Sequence, residues 1–177
     1  SDLKIENLWM PKIQTNTKTF EDVLDAVKNK GLKVTAPNKG DSFEIGKVKC
    51  EVMTDSILNK DNLNLSSIVI RLEFENNSFL FMGDAETANE KTRTWMKTDV
   101  LKVGHHGSNT SSSEDFLKQI NPTYAVIMAG KNNSYGLPKQ KILDRLAKIG
   151  AKVYRTDEEG TIMMISNGNN IEVKENT

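Results

Sequence analysis

The stretch DVLKVGHHGSNTSSSEDFLKQINPTYAVIMAG, residues 99–130, decides how this chain folds. It begins as an apolar run, passes through a pair of histidines between glycines, and continues into a serine-rich turn. Val100, Leu101 and Val103 read as a strand over residues 99–103, while Phe116, Leu117 and Ile120 share one face of a helix over residues 111–120. Ser111 and Glu114 have the spacing of a capping box at its start. Residues 123–129 are almost continuously apolar, as in a strand covered on both faces of its sheet. Strand, helix and strand within about 30 residues describe a parallel βαβ unit. His105 and His106 are the only histidines among 177 residues. They stand at the carboxyl end of the first strand, where α/β sheets hold their ligands.

The pattern extends in both directions. Residues 139–149 form a helix with Ile142, Leu143, Leu146 and Ile149 inward, closed by Gly150, and strands follow at 152–155, 161–165 and 171–173. Upstream, residues 67–74 and 78–82 read as a hairpin turning at Asn76-Asn77, and residues 87–97 as a helix. Before them come a short strand at 5–10 ended by Pro11, a helix at 20–30, a strand at 32–36, and strands at 42–45 and 47–53. The asparagine-rich residues 55–65 read as a loop. With no linker, repeat or low-complexity tract, residues 1–177 are expected to form a single α/β domain, or most of one.

Composition narrows the function classes. Hydrophobic residues at 37% and charged residues at 27% are the balance of a globular domain. Lys+Arg 24 against Asp+Glu 24 gives no net charge, so bulk electrostatics make no case for nonspecific nucleic-acid binding. No run is long and apolar enough to span a membrane. The start lacks the basic and apolar regions of a secretory signal, and it opens on Ser1. The lone Cys50, within an alternating KVKCEVM stretch, is expected in the core. It can form neither an internal disulfide nor a thiolate metal site. Trp9, Trp95, Met128, Met163 and Met164 are read as core packing, and the lysines of 139–148 as the wet face of a helix.

Three strand ends carry the candidate chemistry: SFLFMGDAE with Asp84, the HHGS segment with His105 and His106, and YAVIMAGKNNSYGLP with Asn133 and Tyr135. A carboxylate and imidazoles meeting at one sheet edge would suit Zn²⁺, Mn²⁺ or Fe. Each has a plainer reading beside it. Asp84 could cap the helix that follows, and a single histidine at a strand end is commonly structural. Ser108, Thr110 and Ser111 could hold a phosphate or simply cap.

Three segments together carry a resemblance: SSIVIRLEFENNSFLFMGDAE, DVLKVGHHGSNTSSSEDFLKQINPTYAVIMAGKNNSYGLP and LAKIGAKVYRTDEEGTIMMIS. In this order and spacing, from about Ser66 onward, the chain resembles the metallo-β-lactamase-like domain of ComEC-type competence proteins and related free-standing hydrolases. The resemblance implies a four-layer αββα sandwich with one or two Zn or Mn ions that activate water. It implies phosphodiester hydrolysis of DNA during uptake. Carried over by motif, Asp84 is the metal-ligating aspartate and His105 the histidine ligand after the next strand. His106 is a ligand or a proton donor, and Ser108 belongs to the substrate-facing loop with Asn133 and Tyr135.

The departures are specific. The family's first metal motif, a histidine–aspartate cluster, is absent and no third histidine exists to build it. Asn64-Leu65 stands where another ligand is common, and Leu137 replaces a usual histidine. The chain is therefore expected to be the later part of a longer domain, with the upstream part as its partner. If it follows the competence proteins, it would work on the extracytoplasmic face or outside the cell. The alternative is a binding module that keeps the fold but has lost its metal centre. A calcineurin-like phosphoesterase would require more Asp, Asn and His ligands than this chain has.

Overall fold

The computed structural model describes residues 4–174. A seven-stranded sheet organises it. β3 (Ser42–Ile45), β4 (Val48–Val52), β5 (Ile70–Phe74) and β6 (Asn77–Phe81) run antiparallel, each beside the next. β6 then pairs in parallel with β7 (Val100–Lys102), β7 with β8 (Tyr124–Ile127), and β8 with β9 (Lys152–Arg155). The change from antiparallel to parallel follows from the connections. A two-residue turn can only reverse a strand, whereas the later crossovers run through helices.

Those crossovers are α3 (Glu114–Ile120) and α4 (Gln140–Lys148). Leu80, Leu101, Ala125 and Val153 lie in one register row and point at the helices. Phe116, Leu117, Ile120, Ile142 and Leu146 cover them, all essentially inaccessible to solvent. The next row, Phe81, Lys102, Val126 and Tyr154, points to the opposite face. There Phe79, Phe81, Val126 and Met128 line an apolar groove with Ile162 and Met164. Phe81 is 42% and Met128 50% exposed, so this face is only partly covered. The coverage on both faces expected for residues 123–129 is met on the helical side only.

Two small sheets complete the chain. β1 (Leu8–Trp9) pairs in parallel with β2 (Val34–Thr35), across α1 (Lys18–Asn29), and Trp9 meets Phe43 edge to face at 4.9 Å. β10 (Met163–Ser166) and β11 (Ile171–Lys174) form a hairpin tied to the β5–β6 turn, where Asn76 N–H donates to Gly168 O. Between β9 and β10, α5 (Thr156–Glu159) is a single turn. No helix among the described residues is long and apolar enough to cross a membrane.

Several expectations are corrected. The helix expected over 87–97 is only α2 (Thr87–Glu90). Beyond it the chain turns so that Trp95 buries against Phe116 at 5.0 Å and its indole N–H donates to Glu90 O. Packing overrides propensity there. The hairpin turns at Glu75-Asn76, one residue earlier than expected, and Asn77 is already paired with Phe74. The cap of α3 is Ser113, whose hydroxyl accepts from Phe116 N–H. Ser111 is instead buried and donates to Gly104 O at 2.8 Å. Met128 and Met163 are half exposed rather than core, while Cys50 and Trp95 are buried as expected.

The two faces of the sheet predict different mutational costs. Leu101→Ala removes a fully buried side chain and is expected to cost about 2–5 kcal/mol. Phe81→Ala, three residues from the same edge but half exposed, is expected to cost under about 1.5 kcal/mol. Urea unfolding of the two variants beside the parent chain measures both.

Candidate metal centre at the carboxyl edge

The parallel order β6–β7–β8 brings the three candidate loops side by side, because each leaves the sheet at the same edge. Asp84 follows β6, His105 and His106 follow β7, and Asn133 and Tyr135 follow β8. Asp84 does not cap α2, because that position is held by Glu86.

The histidine turn is unusual in its backbone. His105 has φ 47, ψ 45 and His106 has φ 53, ψ 24, so both occupy the left-handed region. For residues with side chains this costs roughly 1–2 kcal/mol each, and such strain persists only where surrounding contacts over-determine it. Here they do. His105 N–H donates to Gly83 O, Ser108 N–H to His105 O, and Lys139 N–H to Gly107 O. A Cβ on Gly104 would lie 2.7 Å from Ala85 O, and one on Gly107 2.6 Å from Pro138 Cβ. Only glycine allows the three loops to close this tightly.

The left-handed pair turns the two imidazoles towards different partners, and those partners settle where the protons lie. His106 Nδ1 is 2.6 Å from Met128 O, which can only accept, so Nδ1 carries a proton. Its Nε2 lies 3.3 Å from Asp84 Oδ1. Two acceptors facing each other at that distance require a cation between them or a second proton on the ring. His105 Nδ1 lies 3.3 Å from Glu86 Oε1 and 3.2 Å from Thr110 Oγ1, while its Nε2 is 3.3 Å from the Asn64 amide nitrogen. A donor at Nε2 and a carboxylate at Nδ1 assign the proton to Nδ1 here too. A neutral ring with its proton on Nδ1 would in each case present Nε2 as the lone pair, the form that ligates metals.

Glu86, Asn62 and Lys102 were not singled out in the sequence, whereas Asn64 was marked as standing where another ligand is common. Asn62 and Asn64 reach Glu86 from the short turn Leu63–Ser66. The position where a ligand histidine was missed is therefore filled by an amide that contacts His105. Lys102 donates to Gly83 O at 2.7 Å. Burial pushes its ammonium down from its ordinary value, against the pull of Asp84. The β-strand pattern hid Lys102, which looks like one polar residue between apolar ones. GDAE, by contrast, carried Glu86 in view.

The remaining candidates are arranged differently. Asn133 spends its amide within its own loop, donating to Gly130 O and Leu137 O and accepting from Leu137 N–H. Tyr135 is 77% exposed beside it. Ser108 contacts Thr110 across the histidine turn.

Two ligands about 2.0–2.2 Å from a tetrahedral ion lie about 3.3 Å apart, which is the separation of Asp84 Oδ1 and His106 Nε2. That pair fits two corners of a metal site. Among the described residues no group of three or more His, Cys, Asp or Glu side chains is gathered to hold an ion. Catalytic zinc has three protein ligands, so these two would make only part of a centre.

Comparison with known proteins agrees with the fold. The metallo-beta-lactamase superfamily profile matches residues 14–131, well over half of the chain. The chain belongs to that superfamily, whose members usually bind divalent metals. Among curated relatives, ComE operon protein 3 of Bacillus subtilis is 36% identical over 163 residues, covering 90% of this chain and 21% of that protein. Recombination protein 2 of Haemophilus influenzae is 42% identical over 101 residues, 56% of this chain and 13% of that one. Competence protein ComA of Neisseria gonorrhoeae is 36% identical over 104 residues, 56% and 15% of the two chains. The chain spans about a fifth or less of the length of these relatives. The resemblance to competence proteins is borne out.

Two outcomes follow from the clamp around the histidines. Gly104→Ala and Gly107→Ala should each lower stability by about 1–3 kcal/mol in denaturant unfolding, because backbone or ring atoms must move. Glu90, buried, accepts from Ser112 N–H and Ser113 N–H at the end of the histidine turn, and burial raises its carboxyl above the ordinary 4.5. An acid with a raised value holds its proton more tightly when folded. Stability should therefore fall as pH climbs from 4.5 through the folded value, a slope that Glu90→Gln removes in a pH series of unfolding curves.

Proposed function

We propose that this chain is part of a metal-dependent hydrolase that cuts phosphodiester bonds, with nucleic acid as its substrate. The observation that carries the reading is Asp84 Oδ1 facing Nε2 of His106 at 3.3 Å. Asp84 and His106 would hold a Zn or Mn ion, one or two in number, with His105 turned towards the same cleft. Bound there, such an ion supplies a water of lowered pKa and charge stabilisation for a phosphoryl group. The chain's own residues do the rest. Met128 O orients His106, Glu86 and Thr110 orient His105, and Lys102 holds the Gly83-Asp84 turn. Ser108 and Tyr135 line the substrate side, with Asn133 keeping that loop in shape. The likeness to competence and recombination proteins supports the choice of DNA; a metal-activated water by itself would serve many hydrolysable bonds.

The missing ligands would come from the rest of a longer polypeptide, here read together with residues 1–177 as one functional unit. The half-covered sheet face around Phe81 and Met128 is a surface such a partner could close. A second reading, a binding module without catalysis, is favoured by one observation: no three-ligand group among the described residues.

The test is metal content after Mn²⁺ or Zn²⁺ loading and desalting, on this chain and on the full-length gene product, followed by nuclease assays on single- and double-stranded DNA. Near-stoichiometric metal in the longer protein, lost by at least about tenfold in Asp84→Ala and His106→Ala together with DNA cleavage, is the expected result. Metal and cleavage unaffected by both substitutions would overturn it. A longer protein that binds DNA but neither metal nor cuts would establish the second reading.

A further inference from the structure

His105 and His106 are held by different kinds of acceptor, and the difference is a property of this chain that the metal reading does not require. His106 Nδ1 bonds a backbone carbonyl, fixed by the strand that carries it. His105 Nδ1 faces the side chain of Glu86, which is only 13% exposed. A carboxylate removed from water to that extent must be met by donors. Three lie within reach: Asn62 Nδ2 at 3.0 Å from Oε2, with Asn64 Nδ2 at 3.5 Å and His105 Nδ1 at 3.3 Å from Oε1. The Asn64 amide in turn stands 3.3 Å from His105 Nε2. Glu86 itself is anchored by its backbone N–H, which donates to Asn89 Oδ1, and Asn89 is buried.

We propose that Glu86 is a positioning residue for His105. Its carboxylate stands 3.3 Å from Nδ1, beside the Thr110 hydroxyl that hydrogen-bonds this nitrogen at 3.2 Å, and its charge favours the proton on Nδ1, which leaves the Nε2 lone pair towards Asn64 and the cleft. The left-handed backbone at His105 is what makes this work. It swings the ring towards α2, whereas a right-handed residue at this position would direct the side chain elsewhere. Asn62 and Asn64 donate to the same carboxylate, so Glu86 cannot turn away without leaving part-buried donors unpaired. The consequence is a division of labour. His106 Nε2 has Asp84, another acceptor, opposite it and requires a cation or a second proton on the ring. His105 is satisfied without one and is kept in a single tautomer, ready to accept. That this readiness serves a metal rests on the function proposed above; the positioning itself does not.

The tautomers can be read directly. Long-range ¹H–¹⁵N spectra of the metal-free chain, at a pH where both imidazoles are neutral, report which ring nitrogen carries each proton. In the parent, His105 should be protonated at Nδ1. Glu86→Gln keeps the size but replaces a carboxylate with a neutral amide, whose NH2 can no longer accept from one of the two asparagines. The ratio of His105 tautomers should shift by about tenfold towards Nε2–H, while His106 stays unchanged as an internal control. A folded Glu86→Gln chain with His105 unaltered would overturn the proposal, and so would a parent His105 protonated at Nε2. If Glu86→Gln does not fold, Asn64→Ala serves. It leaves Glu86 opposite Nδ1, so His105 should remain protonated at Nδ1, and loss of that preference would overturn the proposal.

A parallel Zn²⁺ competition titration on the full-length gene product separates this proposal from the metal reading. A loss of about 10–100-fold in affinity for Glu86→Gln supports positioning in service of a metal. Unchanged affinity with a shifted tautomer overturns that service. A protein that takes up no metal but shows the tautomer shift refutes the metal reading and leaves the positioning intact.

Discussion

At His105 and His106 two consecutive residues with side chains are kept in the left-handed region, and the neighbouring loops are built around holding them there. Each such residue costs roughly 1–2 kcal/mol, which no local interaction in a serine-rich turn would recover. The recovery is tertiary. Gly83 O, Gly104 against Ala85 O, Gly107 against Pro138 and Ser111 on Gly104 O draw together the loops that follow β6, β7 and β8. Without that clamp the imidazoles would not face Asp84 and Glu86, and the edge would hold no chemistry.

The clamp exists because the sheet is parallel at that point. Three strands leaving on the same edge put three loops within reach of one another, and the register row through Leu80, Leu101 and Ala125 sets their spacing. Buried packing of α3 and α4 on that row therefore supports the site from below. Glu90 links the two levels. It sits at the end of α2, accepts from the turn after the histidines, and has its peptide carbonyl bound by the indole of Trp95.

The arrangement also separates two roles that the HHGS motif leaves merged. A carbonyl orients one ring and a carboxylate the other. Only His106 is left with an unsatisfied facing pair. Asp84 Oδ1 and His106 Nε2 thus stand at a spacing that would suit an ion, with no third ligand gathered beside them among the described residues.

Much of this was legible in the residues. The alternation of apolar strands and amphipathic helices from residue 99 onward fixed the βαβ order, because periodicity reports directly on which face is buried. The strand-end positions of Asp84, His105 and His106 followed from that order. The length of α2 did not, since Trp95 leaves the helical path to reach Phe116, a contact between segments about twenty residues apart in sequence. The cap of α3 shifted from Ser111 to Ser113 because Ser111 is needed inside, on Gly104. Asn62, Asn64 and Glu86 carry no spacing signal that links them to a histidine some twenty to forty residues away. The sequence by itself determined which strands and helices form and at which edge the polar residues gather, since both depend on local periodicity. Which nitrogen of each histidine is free, and what it faces, was decided only by the tertiary structure, because a proton's position depends on the partner that packing brings to it.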